Sequence, residues 1–203
     1  MRVVKESSDE LNPSVVTHGY VERAPRRRTA SDQVALAVAT CGVGWLPVAP
    51  GTWGSLIGVG LYFAAQQISA SVLASAAVRG GGAAQFEAFR TTLVLSLLIG
   101  ITVAGIWAAS RCESLLARKD PGVVVIDEVV GQLITFAFVP YEIGAWALIV
   151  GFVAFRLFDI WKPYPIRRLE ALESGLGIMA DDVLAGIYAA TLMSLLASIY
   201  LLF

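Results

Sequence analysis

The sequence predicts an all-α, multihelical integral membrane protein with about four membrane crossings, one of them a short helical hairpin. Hydrophobic residues make up 57% of the 203-residue chain and charged residues only 15%, whereas an average soluble domain carries about 25% charged residues. Residues 33–78, 91–110 and 183–203 contain no charged residue. Each stretch is long enough to cross a bilayer, which needs about 20 helical residues. Residues 33–203 are therefore expected to form one membrane domain.

The hairpin is predicted from two shorter uncharged runs, residues 129–141 and 143–155, which are separated by Glu142. Either run alone is too short to span a bilayer. The other crossings are expected near residues 54–76, at 91–110 and from Val183 to the end of the chain. An alternative stays open at this point, in which the two short runs are buried helices of a globular domain.

The first 32 residues are polar and lack the apolar core of a signal peptide. We expect a disordered, cytoplasmic arm. Positively charged residues favour the cytoplasmic side, which would place residues 26–28, 111–119 and 162–168 inside and the C-terminus outside. The basic residues form no recurrent basic face, so nucleic acid is not expected as a partner.

Charged residues gather at the ends of the uncharged stretches, and the predicted topology brings them to one membrane face. They are Asp127, Glu128, Arg156, Asp159, Lys162, Asp181 and Asp182. An ionised carboxylate in hydrocarbon costs roughly 2.5–3.5 kcal/mol, so repeated acids beside apolar runs need partners. A divalent cation together with a phosphorylated ligand would supply them. For Asp181 and Asp182 the simpler alternative is that they cap the last helix.

Arg156, Asp159 and Lys162 follow one another at three-residue intervals, so they are neighbours on a helix. Pro163 and Pro165 are expected to end that helix. Lys162 would then stand at the membrane face, where its own stability requires no acidic neighbour.

Residues 42–55 are rich in glycine and proline and lead into an apolar helix. Such a loop can present backbone N–H groups to an anion. The stretch lacks the Gly-Lys-Ser/Thr of a P-loop, and an ordinary helix-entry turn is an equal alternative.

The surroundings of the histidine and the two cysteines argue against a catalytic nucleophile at these positions. His18 lies in the polar arm. Cys112 and Arg118 have the spacing found in cysteine phosphatases, but the residues between them lack glycine and favour a helix. Cys41 and Cys112 show no metal-site spacing and are expected to be ordinary small apolar residues.

Four blocks of sequence, taken together and in this order, resemble the phosphatidylglycerophosphatase A family. They are residues 42–55 (GVGWLPVAPGTWGS), 125–131 (VIDEVVG), 155–167 (FRLFDIWKPYPIR) and 175–186 (GLGIMADDVLAG). The resemblance covers about residues 34–200. It implies a multihelical, magnesium-dependent phosphatase of the bacterial inner membrane, which removes the terminal phosphate of phosphatidylglycerophosphate to give phosphatidylglycerol. Its active site would face the cytoplasm.

With that resemblance, the charged residues receive expected roles. Magnesium takes about six oxygen ligands, and we expect them to come from Asp127, Glu128, Asp159 and Asp182, with Asp181 as a further ligand or a base. Arg156 and Lys162 would hold the phosphate, assisted by Thr52 and Ser55. An aspartyl-phosphate intermediate stays open as an alternative.

Two other classes of protein remain to be distinguished. A phospholipid synthase of the CDP-alcohol phosphotransferase type is also acidic and membrane-bound, but its spaced aspartate pattern is missing here. A non-catalytic transporter or channel subunit could use intramembrane charges as an ion pathway.

Overall fold

The computed structural model describes residues 28–77, 82–140, 143–169, 171–172 and 174–203. Within these ranges every regular element is a helix, which confirms the all-α prediction. The helices are α1 (Ala30–Thr40), α2 (Pro50–Ala77), α3 (Ala83–Leu116), α4 (Ile126–Phe136), α5 (Trp146–Trp161), α6 (Ile166–Leu169) and α7 (Ser174–Leu202). The predicted disorder of the N-terminal arm concerns residues that lie, up to residue 27, outside the described ranges.

In the described part of the chain, three helices are long and apolar enough to cross a membrane. The candidate spans are Pro50–Ser75 in α2, Ala84–Leu116 in α3 and Ser174–Leu202 in α7. Large apolar side chains remain exposed along them, such as Ile99 and Leu195. An apolar surface of this kind suits contact with lipid.

The predicted hairpin is confirmed as α4 and α5, which lie antiparallel. Gly131 packs against Phe155 near one end of the pair, and Gly151 packs against Phe136 near the other. α5 therefore returns the chain to the end of the bundle at which α4 begins.

Helix α4 is the centre of the bundle. Nine of its eleven residues are buried, and α2, α3, α5 and α7 all contact it. Glycines allow the closest approaches: a Cβ atom at Gly54 of α2 would lie 2.7 Å from the Val125 carbonyl oxygen, and one at Gly186 of α7 would lie 2.5 Å from the Gly131 carbonyl oxygen. The backbones of α4 and α7 thus touch where Gly131 and Gly186 meet.

Helix α1 is fastened to α3 by a charged contact. Thr29 and Asp32 form a capping box at its start, and Asp32 accepts a hydrogen bond of 2.7 Å from Arg111 Nε. The Thr29 backbone N–H and then the Arg111 guanidinium lower the pKa of Asp32 to about 2. The helix begins at Ala30, within the segment assigned to the arm from sequence.

One boundary differs from the prediction. The last helix was expected from Val183, but α7 begins at Ser174. Because Asp181 and Asp182 are charged, the residues before them were predicted to form a loop. In the structure these residues are helical and pack against α3, as in the contact between Gly175 and the Ile106 backbone.

The contact between α4 and α7 can be tested with Gly186→Ala. The added methyl group meets the Gly131 backbone, which cannot move aside like a flexible side chain, and overpacking of this kind costs about 1–3 kcal/mol. We expect a lower apparent melting temperature in detergent, followed by tryptophan fluorescence. Gly100→Ala is the matched control, because a Cβ atom there meets open space. Equal melting temperatures for the two variants would contradict the close crossing.

Candidate metal and phosphate site

All seven charged residues singled out from the sequence lie at the same end of the bundle. α4 places two of them in its first turn, α5 places two near its end and a third directly after it, and α7 places two in its second and third turns. In that order they are Asp127 and Glu128, then Arg156, Asp159 and Lys162, then Asp181 and Asp182.

Asp127, Glu128 and Asp182 form a tight group of carboxylates. One oxygen from each lies within 4.8 Å of the others, although the Asp127 and Asp182 residues are only 8% and 4% exposed. Asp127 Oδ1 and Glu128 Oε2 are buried and have no hydrogen-bond partner in the described part of the chain. Such a group suits a cation that would bind the oxygens left without donors.

The electrostatics of this group are unfavourable without a cation. Burial raises the pKa of Asp127 well above its usual value, and the neighbouring Glu128 and Asp182 carboxylates raise it further. Burial also raises the pKa of Glu128, although a hydrogen bond with Asp127 opposes the shift. A bound divalent cation would favour the ionised form of both groups.

Arg156 and Asp159 adjoin the carboxylate group from α5. Arg156 donates to Asp159 across 2.5 Å, as their three-residue spacing predicted. Asp159 lies within hydrogen-bonding reach of Asp182. The guanidinium and the Glu128 carboxylate both approach Gly51 of α2, at which any side chain would collide with Glu128. Gly51 therefore makes room for the site.

Lys162 and Asp181 form a second ion pair. Lys162 Nζ donates to Asp181 Oδ2 across 2.7 Å, so this lysine has an acidic neighbour that the sequence did not predict. The predicted end of the preceding helix is confirmed, since α5 stops at Trp161 and Lys162 adopts a left-handed conformation before Pro163. Sequence spacing could not reveal the pair because the two residues are far apart along the chain.

The capping alternative for Asp181 and Asp182 is also wrong. Both residues lie inside α7, which begins at Ser174, and both are buried. A cap would stand at the helix start with its side chain bonded to the first N–H groups. As buried residues inside α7, they belong instead to the group of seven charged residues at this end of the bundle.

The glycine-rich stretch enters a helix earlier than expected. α2 begins at Pro50, which places Thr52 and Ser55 in its first turns. The Thr52 N–H is bonded to the Ala49 carbonyl. Ser55 is fully buried, and its hydroxyl donates to the Gly51 carbonyl across 2.9 Å. The Ser55 hydroxyl hydrogen is therefore bonded within α2, whereas the half-buried Thr52 lies in the first turn of α2, next to the site.

Sequence reasoning missed one polar residue. Gln132 of α4 is 0% exposed, and neither atom of its amide has a hydrogen-bond partner among the described residues. It lies four residues after Glu128, so both point from the same face of α4. This four-residue spacing from Glu128 was the signal in the sequence that could have identified Gln132.

The described cysteines offer no competing site. Cys112 is completely buried, and the residues that follow it continue α3 as far as Leu116. A cysteine phosphatase would need a loop there that wraps the phosphate. His18 lies outside the described residues.

Comparison with known proteins places the chain in a family. The family model described as phosphatidylglycerophosphatase A matches residues 36–197. A Bacteroides thetaiotaomicron protein named "Putative phosphatidylinositol-3-phosphatase" is 38% identical over 75% of this chain and 86% of its own length.

Two further relatives carry the family name. A phosphatidylglycerophosphatase A from Haemophilus influenzae is 38% identical over 73% of this chain and 78% of its own length. One from Escherichia coli is 28% identical over 84% of this chain and 87% of its own length. No solved structure gives a significant match. With this model match over most of its length, the chain belongs to the phosphatidylglycerophosphatase A family.

Proposed function

We propose that this protein is a magnesium-dependent lipid phosphatase that hydrolyses phosphatidylglycerophosphate to phosphatidylglycerol and inorganic phosphate. The observation that carries the proposal is the largely buried group of Asp127, Glu128 and Asp182, with the Arg156 guanidinium beside Glu128, in a chain of this family. Carboxylates that bind a cation, with basic groups beside them, are what hydrolysis of a phosphate monoester requires.

The residues fit magnesium. The group offers hard oxygen ligands, which magnesium prefers. Ligand oxygens on a six-coordinate magnesium ion lie at most about 4.2 Å apart, and those of Asp127, Glu128 and Asp182 already lie within 4.8 Å of one another. Asp159 is the fourth ligand that we expect, because it is within reach of Asp182.

The protein's own residues would bind and orient the phosphate. When bound, magnesium neutralises phosphate charge and lowers the pKa of a water molecule that attacks phosphorus. Arg156 and Lys162 would donate to the phosphate oxygens and stabilise the charge that develops there. The Thr52 hydroxyl would assist them, whereas Ser55 is left out because its proton is already donated to Gly51. Asp181, which accepts a hydrogen bond from Lys162, would act as a base or a further ligand.

We place the site on the cytoplasmic side of a bacterial inner membrane. The basic residues Arg111 and Lys162 lie at the site end of α3 and α5, and positively charged residues favour that side. The exposed apolar surfaces of the spans would leave the acyl chains of the substrate in the bilayer while the headgroup meets the carboxylates.

The first test measures phosphate release from phosphatidylglycerophosphate in detergent micelles with and without magnesium. We expect activity only with the cation, and Asp127→Asn should abolish it because one of the three clustered carboxylates is lost. Cys112→Ser is the control and should stay within a few-fold of the wild type, since Cys112 lies in a continuous helix. Wild-type rates in Asp127→Asn, or full activity after magnesium is chelated, would contradict the proposal.

A second candidate substrate comes from the Bacteroides relative, whose name refers to a phosphoinositide. We expect phosphatidylglycerophosphate to be hydrolysed with the highest kcat/KM when it is compared with phosphatidylinositol 3-phosphate and phosphatidate. A preference for the phosphoinositide would contradict the proposed substrate but would still support a lipid phosphatase. Release of phosphate from none of them, with ion flux in liposomes or a requirement for a cytidine nucleotide, would support the transporter or the synthase instead.

Lys162→Ala tests the phosphate role. We expect kcat/KM to fall by one to three powers of ten, because one charge-assisted contact in a shielded site is worth roughly 1.5–4 kcal/mol. The magnesium concentration for half-maximal activity should change little. Lys162→Arg should recover part of the activity, since it restores the charge in a different shape.

The ion pair with Asp181 supplies the control for this prediction. If Lys162 serves only to neutralise Asp181, the double variant Lys162→Ala/Asp181→Asn will be faster than Lys162→Ala alone. We expect no such recovery. Recovery would show that the lysine supports the carboxylate and does not bind the phosphate.

A further inference from the structure

Gln132 presents a feature that the proposed chemistry does not use. It stands in the middle of a bundle of apolar helices, is 0% exposed, and leaves both its amide nitrogen and its amide oxygen without a partner in the described structure. Buried polar groups in proteins are nearly always hydrogen-bonded. A leucine or methionine of similar volume would fill the same space without this penalty.

The position of Gln132 directs its amide towards the carboxylate group. It follows Glu128 by one helical turn, and both side chains face α2, where Gly54 packs beside the Glu128 stem and Gly58 beside the Gln132 stem. Helical side chains lean towards the helix N-terminus. This tendency favours an orientation in which the Gln132 amide lies on the side of its turn that faces Glu128.

The two side chains are chemically complementary. Among the described residues, Glu128 Oε2 is a buried acceptor that lacks a donor, and Gln132 Nε2 is a buried donor that lacks an acceptor. Gly58 makes this arrangement possible, because a Cβ atom there would lie 2.7 Å from Gln132 Cβ. The glycine leaves room for the glutamine stem on the face that α2 would otherwise fill.

We propose that Gln132 is a positioning residue for the cation site: its amide donates a hydrogen bond to a buried water that in turn donates to Glu128, and so fixes the orientation in which that carboxylate meets the cation. The inference rests on the proposed cation site at Asp127, Glu128 and Asp182. A neutral amide suits the role, because it orients the carboxylate without competing with the cation for its charge.

Binding of manganese tests the inference without relying on turnover. Mn²⁺ prefers the same oxygen ligands as magnesium, and its free concentration can be followed by electron paramagnetic resonance during titration of the protein in detergent. Gln132→Met keeps the length of the side chain but removes the amide. We expect the Kd for Mn²⁺ to rise ten- to a hundredfold, as for loss of a group that orients a metal ligand, while the melting temperature is kept or raised.

The chain offers a matched control in Gln66 of α2, whose buried amide oxygen has no hydrogen-bond partner among the described residues but which lies about four helical turns away from Gly51. Gln66→Met should leave Mn²⁺ binding unchanged. Gln132→Asn, which keeps the amide on a shorter stem, should bind Mn²⁺ better than Gln132→Met because a water can bridge the added gap. Should Gln132→Met fail to fold, Gln132→Leu replaces it in the same comparison.

The outcomes separate this inference from the proposed function. Mn²⁺ binding that is lost in Asp127→Asn but unchanged in the Gln132 variants overturns the positioning role alone. A wild-type protein that binds no Mn²⁺ overturns the cation site and the inference with it. Equal weakening in Gln132→Met and Gln132→Asn also contradicts the hydrogen bond, since the amide would then make no difference.

Discussion

The structure depends on the burial of carboxylates at the start of its central helix. α4 begins with Ile126, Asp127 and Glu128 and is contacted by five other helices. An ion transferred from water into a protein interior loses several kcal/mol of solvation. The surrounding elements bring compensating charges to this point, since α5 returns to it with Arg156 and continues into Lys162. The hairpin of α4 and α5 is therefore an electrostatic requirement as well as a way to bury apolar surface.

Glycines let the other helices reach α4 closely enough to share these charges. Gly51, Gly54 and Gly58 line one face of α2 and meet Val125 and the residues of α4 as far as Gln132. Gly186 brings α7 against the α4 backbone in the turn after Asp182. Larger residues would hold the helices apart and separate the carboxylates. The same glycines thus serve the packing of the bundle and the geometry of the site.

Local pattern predicted most of the fold. Long uncharged runs predicted α2, α3 and most of α7, and Pro163 predicted the end of α5. The start of α7 was missed because charged residues usually end an apolar span, and here they are buried within the helix. The Lys162 pair with Asp181 and the contact of Gly51 with Glu128 were not predictable. Both join residues that are distant in sequence, and their partners are set by the packing of whole helices.

Helix dipoles alone cannot stabilise this arrangement. α2 and α4 both begin at the site, at Pro50 and Ile126, so their partial positive charges lie near the carboxylates. Each such helix terminus is worth typically 0.3–1 kcal/mol at an exposed position and up to about 2 kcal/mol when partly buried. That is less than the several kcal/mol of solvation that each buried carboxylate loses. Arg156 lies near Glu128, but it and Lys162 form their ion pairs with Asp159 and Asp181, so within the described structure the charge of the Asp127, Glu128 and Asp182 group is only partly compensated. A divalent cation would supply the remaining positive charge in the space that these three side chains enclose.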